Sequence, residues 1–275
     1  MSVPDSSPRY EMPTVFGPSL IPVRSVWGRV EMVSISFTTT YDAARRLVPP
    51  GIDVVGEEPV VTFSRMSYSD VDYLAGGGYN EITVGIAASV AAEDGTVTGN
   101  FMPVVWVDEP VPIQIGRESL GYAKVHGELP EVGKTLERME FALYERGTRL
   151  LRGSVSNLTA LPPDRLTAIR RAGTDITVLG WKYVPGLDGV PDADYPTRIP
   201  LRFDWDDAST GEGSLTFDAP SWEAAPVGAR MIEALRELPV VKTRRALVAN
   251  GSGSIDRSAA SRLSPRLVGS RRHAQ

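Results

Sequence analysis

Along most of the chain apolar residues recur at every second position, and helical spacing is confined to short stretches. Residues 29–38 alternate, with Glu31, Val33, Ile35 and Phe37 on one face. Residues 40–48 read as a short helix that Thr40 can cap and Pro49-Pro50 ends. Residues 60–68 form another strand, and Gly76-Gly77-Gly78 a flexible turn. The clearest strand is 79–91, with Ile82, Val84, Ile86 and Ala88 on one side and Glu81, Thr83, Gly85, Ala87 and Ser89 on the other. Asp94-Gly95 signals a hairpin into a strand at 101–107.

Residues 115–120 read as a helical turn before a strand at 121–129, and Arg146-Gly147 joins strands at 136–144 and 150–158. Pro162 starts a surface helix to residue 171. Strands follow at 175–184, 199–204 and 214–218. A helix over 227–238 carries the stripe Val227, Met231, Leu235 and Leu238 and stops at Pro239, and a last strand covers 240–249. Many strands, few helices and no βαβ alternation predict an α+β fold with a mainly antiparallel sheet. No linker divides the chain, so residues 1–275 are expected to form one domain, with 1–24 as a Pro- and Ser-rich arm and 262–275 as a mobile, Arg-rich tail.

Composition narrows the chemistry. The chain has no cysteine, which excludes disulfides, thiolate metal sites and cysteine nucleophiles, and only two histidines, His126 and His273, too few for a multi-histidine metal site. A formal charge of −5 argues against nucleic acid as a partner. No basic segment followed by an apolar run opens the chain, and no run of about 18 apolar residues is present, so a soluble cytoplasmic protein without membrane contact is expected.

The segment Gly121-Tyr-Ala-Lys-Val-His-Gly-Glu-Leu129 places Tyr122, Lys124, His126 and Glu128 on one face of a strand. Two readings follow. The face is either the wetted side of a half-exposed strand or the polar wall of a pocket in which Lys124 is a nucleophile. A protonated lysine is inert, but burial or a nearby cation frees its amine to attack a carbonyl, and the iminium that forms is an electron sink. Composition does not choose between these readings.

Gly116-Arg-Glu-Ser-Leu-Gly-Tyr-Ala-Lys124 resembles the signature of the acetoacetate decarboxylase family, a Gly-Arg-Glu start leading to a lysine. Leu47-Val-Pro-Pro, Tyr79-Asn-Glu81, Trp181-Lys-Tyr-Val-Pro185, the Asp188-Gly189 turn and Leu238-Pro-Val240 resemble further family landmarks in the same order, so the similarity runs from about residue 22 to 258. The resemblance implies a cone-like β-barrel with a few peripheral helices, a homo-oligomer, a small keto acid as substrate and no cofactor. It gives Lys124 the role of Schiff-base nucleophile, the use of an activated lysine for which this family is a standard example. It makes Glu81 a proton shuttle or orienter of the iminium and Arg29 the group that holds the substrate carboxylate, while Tyr79 shares the face of Glu81 by parity and is expected to donate a hydrogen bond to substrate. A one-residue change of register at Arg29 would turn its side chain to the other face. Strand parity adds His126 as a proton relay beside Lys124, and Gln114, just before the signature, as a substrate contact. Arg117 and Glu118 are expected to be scaffold groups, a buried pair that fixes the turn before Lys124.

The chain departs from the family pattern in three places. Val125 stands where decarboxylases carry a second lysine, Ser64 near a family carboxylate, and Ala123 in place of a proline. The expected activity is therefore Schiff-base lyase chemistry of the aldolase, dehydratase or cyclase kind. A β-keto acid decarboxylase and a non-catalytic binder of small acids on the same scaffold are the alternatives.

Overall fold

The computed structural model describes residues 9–93, 95–135 and 137–264. Fourteen strands dominate it: β1 Arg24–Thr38, β2 Asp53–Val54, β3 Val60–Val71, β4 Tyr79–Ala92, β5 Gly95–Val107, β6 Lys124–His126, β7 Gly133–Lys134, β8 Arg138–Glu145, β9 Thr148–Ala160, β10 Ile176–Val184, β11 Ala193–Phe217, β12 Lys242–Thr243, β13 Ala246–Asp256 and β14 Ser261–Arg262. The helices are α1 Tyr41–Arg45, α2 Pro110–Ile115, α3 Pro163–Gly173 and α4 Gly228–Arg236. Strand order β10-β5-β4-β3-β1-β13-β11, with β11 pairing back onto β10, makes a closed circuit, and β9, β8 and β7 continue outward from β11. This is the mainly antiparallel α+β sheet that the alternation predicts. The pairs β10–β5 and β5–β6 are parallel.

Alternation gives the sheet two apolar faces. Val33, Ile35 and Phe37 of β1, Ile82, Val84 and Ile86 of β4 and Trp106 of β5 join the cluster completed by Phe141, Leu143, Leu150, Leu151 and Leu235. The opposite face gathers Trp27, Met66, Tyr68, Tyr79, Val105, Tyr122, Phe203, Trp205 and Ile255. A bulge between Trp27 and Val30 lets Trp27 join this second cluster against simple parity.

Several elements depart from expectation. Strand β11 is continuous over 25 residues, where Pro196, Pro200, Gly211 and Gly213 suggest separate strands. The final long strand runs from Ala246 to Asp256, further on than 240–249, because Gly251 and Gly253 are strand residues under close approach. Helix α4 starts at Gly228, so Val227 is left exposed and Ile232 takes the buried position between Gly228 and Leu235. The strand around Lys124 shrinks to three residues, preceded by α2 and a π-helical turn over Gly116–Leu120. Thr40 stands at the N-cap of α1 without a side-chain capping bond. Arg146 and Gly147 make the β8–β9 hairpin with positive φ at both positions, the geometry that matches strand twist. Asp94 and most of the expected tail lie outside the described residues, although β4 and β5 do pair as a hairpin there.

A methyl group on Gly251 would sit 2.1 Å from the Asp204 carbonyl oxygen, next to the bulge in β11 between Trp205 and Asp207. Gly251→Ala is therefore expected to destabilise the fold by about 1–3 kcal/mol, seen as a lower urea midpoint with an unchanged slope.

Candidate active site

Strand β4 presents Tyr79 and Glu81 to the second apolar face, and β3 brings Tyr68 opposite Tyr79 in register. Strand β6, held in parallel on β5, sets Lys124 opposite Val105. Lys124 and Glu81 are both buried, with 7% and 8% of their surface exposed, and Lys124 Nζ donates to Glu81 Oε2 at 3.1 Å. The Tyr68 hydroxyl donates to Glu81 Oε1 at 2.8 Å, so each oxygen of this carboxylate has a donor. The Lys124 Nζ lies 5.7 Å from the Tyr79 ring centre and 5.4 Å from that of Tyr122.

These groups line a cavity of about 60 Å³ whose other walls include Trp27, Tyr73, Met102, Ile115, Leu120, Ile255 and Arg257. It is smaller than the roughly 150 Å³ that accommodates benzene in an engineered core, so it suits a small molecule. Burial, followed by the negative charge of Glu81, pushes the Tyr68 phenol well above its usual range. Burial likewise raises Tyr79 and Tyr122, and it carries Tyr73 up to about 12. The cavity therefore contains neutral phenols near neutral pH, with Tyr68 fixed as a donor to the carboxylate.

Local structure explains how the lysine is aimed. Gly121 has φ +80°, the Tyr122 N–H returns to the Gly116 carbonyl at 2.9 Å, and Thr197 Oγ1 donates to the Leu120 carbonyl at 2.8 Å. Arg117 donates to the Lys124 carbonyl at 3.0 Å. Gly116 lies against the lysine stem, where a methyl group would meet Lys124 Cδ at 2.7 Å.

The sequence matches the acetoacetate decarboxylase (ADC) family over residues 11–258. The chain belongs to the acetoacetate decarboxylase family. No curated protein sequence matches it. Among solved structures, an acetoacetate decarboxylase is similar with a TM-score of 0.74 at 20% identity, over 94% of this chain and 96% of that one. The acetoacetate decarboxylase of Legionella pneumophila is similar with a TM-score of 0.70 at 18% identity, over 91% and 93% of the two chains. The enduracididine biosynthesis enzyme MppR complexed with pyruvate gives 0.65 at 20% identity, over 94% and 99%. At such identities these likenesses establish the fold.

Within this family fold, the residues singled out from the sequence separate into two groups. Lys124, Glu81 and Tyr79 meet in the cavity. Arg29 does not: its side chain is 74% exposed and pairs with Asp70 at 2.9 Å, beside the bulge that carries Trp27 inward. His126 shares parity with Lys124 but lies two residues, roughly 7 Å, further along the strand, and is exposed outside the lining. Gln114 is exposed on α2 and donates to the Met12 carbonyl. Arg117 and Glu118 form no buried pair. Arg117 is exposed and reaches the Lys124 backbone, while Glu118 accepts from the Met12 N–H. Val125 packs into the first apolar cluster, so the position of the missing second lysine faces away from the cavity. Ser64 bonds to Ser34 and is not part of the lining.

Two cavity groups have no distinguishing mark in the sequence. Tyr68 is one more aromatic in an alternating strand, legible only once its pairing with Tyr79 is known. Arg257 follows a Gly- and Ser-rich stretch that reads as a loop. It is 3% exposed, forms a buried ion pair with Glu11 at 3.0 Å, and donates through the other terminal nitrogen to the Ile21 and Pro22 carbonyls at 2.6 and 3.0 Å. Glu11 also accepts from Ser119 Oγ at 2.7 Å, so the N-terminal arm is tied across the cavity wall to the signature segment.

Two outcomes follow. Gly116→Ala is expected to displace the lysine stem and destabilise the fold by about 1–3 kcal/mol, measured as a lower midpoint in urea unfolding. Burial opposes the Glu11 charge, but the Ser19 and Ser119 hydrogen bonds and Arg257 outweigh it and hold the carboxyl below its ordinary range. Its stabilising effect is then full above about pH 4.5 and fades as pH falls through the depressed value. The advantage of wild type over Glu11→Gln in thermal unfolding should accordingly be present at neutral pH and shrink under acid.

Proposed function

We propose that this protein is a lyase that binds a small keto acid as a Schiff base on Lys124. The observation that carries this reading is the lysine amine held in a small aromatic cavity, 3.1 Å from a carboxylate that is itself fixed by Tyr68. In the resting pair the ammonium passes a proton to Glu81, and the free amine adds to the ketone carbon. Glu81 returns the proton to the carbinolamine hydroxyl, which leaves as water, and the iminium remains. The regenerated carboxylate then removes a proton from the carbon next to the iminium, giving an enamine ready to add to an aldehyde, to eliminate or to cyclise. The exclusion of water by Trp27, Tyr79, Tyr122 and Leu120 protects the iminium from early hydrolysis.

Decarboxylation of a β-keto acid would use the same nucleophile. The apolar wall favours that reading, since it destabilises a carboxylate relative to the neutral CO₂ it releases. Binding that carboxylate tightly in the ground state would oppose it. A single-domain homo-oligomer belongs to the same proposal, supported by the exposed Val15, Phe16 and Leu20 of the arm. Among the described residues no helix is long and apolar enough to cross a membrane.

Incubation with pyruvate or acetoacetate followed by borohydride should leave a mass increase on Lys124 that Lys124→Ala abolishes and Glu81→Gln slows by about 100-fold or more. CO₂ release from acetoacetate separates decarboxylation from the other chemistries. A panel of keto acids that leaves Lys124 unmodified would return the scaffold to the role of a non-catalytic binder.

A further inference from the structure

One buried donor in the cavity wall has nothing to donate to. Among the described residues, Thr39 Oγ1, Arg65 Nε and Arg257 Nε are buried without a hydrogen-bond partner, whereas the Trp27 indole N–H has the Tyr73 hydroxyl as its acceptor. Of those three residues only Arg257 lines the cavity. Folded proteins pair nearly all buried polar groups, so an unmet guanidinium N–H in the cavity wall points to an acceptor that arrives with a ligand.

The lining also contains just two cations, Lys124 and Arg257. They lie across the strand circuit from one another. Lys124 stands on β6, which is joined to β5, and Arg257 immediately follows β13. Strands β4, β3 and β1 separate β5 from β13 in one direction, and β10 and β11 in the other. Arg257 is also immobilised. One terminal nitrogen is held by Glu11 and the other by the Ile21 and Pro22 carbonyls, which leaves Nε as the free position of a fixed fork. Such preorganisation avoids the ordering cost of a flexible anchor.

We propose that Arg257 Nε recognises the carboxylate of the substrate, so that a keto monoacid spans the cavity with its ketone at Lys124 and its carboxylate at the far wall. The assignment rests on the Schiff-base reading above and replaces Arg29, which faces solvent, as the carboxylate anchor. It further implies that the retained carboxylate is not the one lost in any reaction, which favours addition, elimination or cyclisation over decarboxylation.

The test compares capture of pyruvate and of acetone, a ketone without a carboxylate, by wild type and Arg257→Gln. In wild type, pyruvate should be trapped at far lower concentration than acetone. Arg257→Gln should raise the half-saturating pyruvate concentration at least about 30-fold more than it raises that of acetone. Should the single variant fail to fold because Glu11 is left uncompensated, the Glu11→Gln/Arg257→Gln double variant, which removes both buried charges, gives the same readout. Unchanged pyruvate capture, or an equal loss for both ketones, would overturn the assignment while the Schiff-base reading stands. Capture of neither ketone by wild type would sink both.

Discussion

Taking a lysine ammonium and a glutamate carboxylate out of water costs several kcal/mol per ion, and mutual attraction offsets this only when geometry and additional hydrogen bonds are good. The Lys124–Glu81 pair meets both conditions, with a 3.1 Å contact and a second donor, Tyr68, on the remaining oxygen. Much of the architecture serves that arrangement. Aromatic rings from β1, β3, β4 and the segment before β6 exclude water, and the parallel joint between β5 and β6 fixes where the lysine backbone lies. The phenols around the pair are raised by burial and remain neutral.

The cavity is organised by irregularities in the sheet as much as by its regular alternation. The bulge in β1 brings Trp27 inward next to the solvent-facing Arg29, and a second bulge in β11 lies beside Gly251. The π-helical turn over Gly116–Leu120 and the positive φ of Gly121 redirect the chain so that a strand of three residues suffices to aim Lys124. Bulges and π-turns concentrate at functional sites because they re-aim single side chains without rebuilding an element.

Legibility from sequence followed the same division. Strand β4 was readable because its alternation is unbroken from Tyr79 to Ala92, and it placed Glu81 on the small-residue face. Lys124 was ambiguous by pattern alone, and the signature segment around it supplied the reading that its burial now supports. Arg29 and His126 were misplaced for different reasons. The resemblance assigned Arg29 its role at a point where β1 bulges and the side chain meets solvent, and parity assigned His126 a direction without its distance along the strand. Arg257 was invisible because Gly251 and Gly253, past the expected end of the last strand at 249, are glycine to admit the Asp204 carbonyl and the Phe203 ring. Its partner Glu11 lies 246 residues away, beyond the reach of any local pattern.

That last separation has a consequence for biosynthesis. The wall that carries Arg257 joins the two extremes of the described chain, with Glu11, Ile21 and Pro22 from one end and β13 from the other. A polypeptide growing from its N-terminus therefore has Lys124 in hand long before the enclosure around it can close. Until residue 257 leaves the ribosome, the side chain that locks Glu11, Ile21 and Pro22 against β13 is missing, so the cavity around Lys124 is a product of the completed chain and of no shorter one.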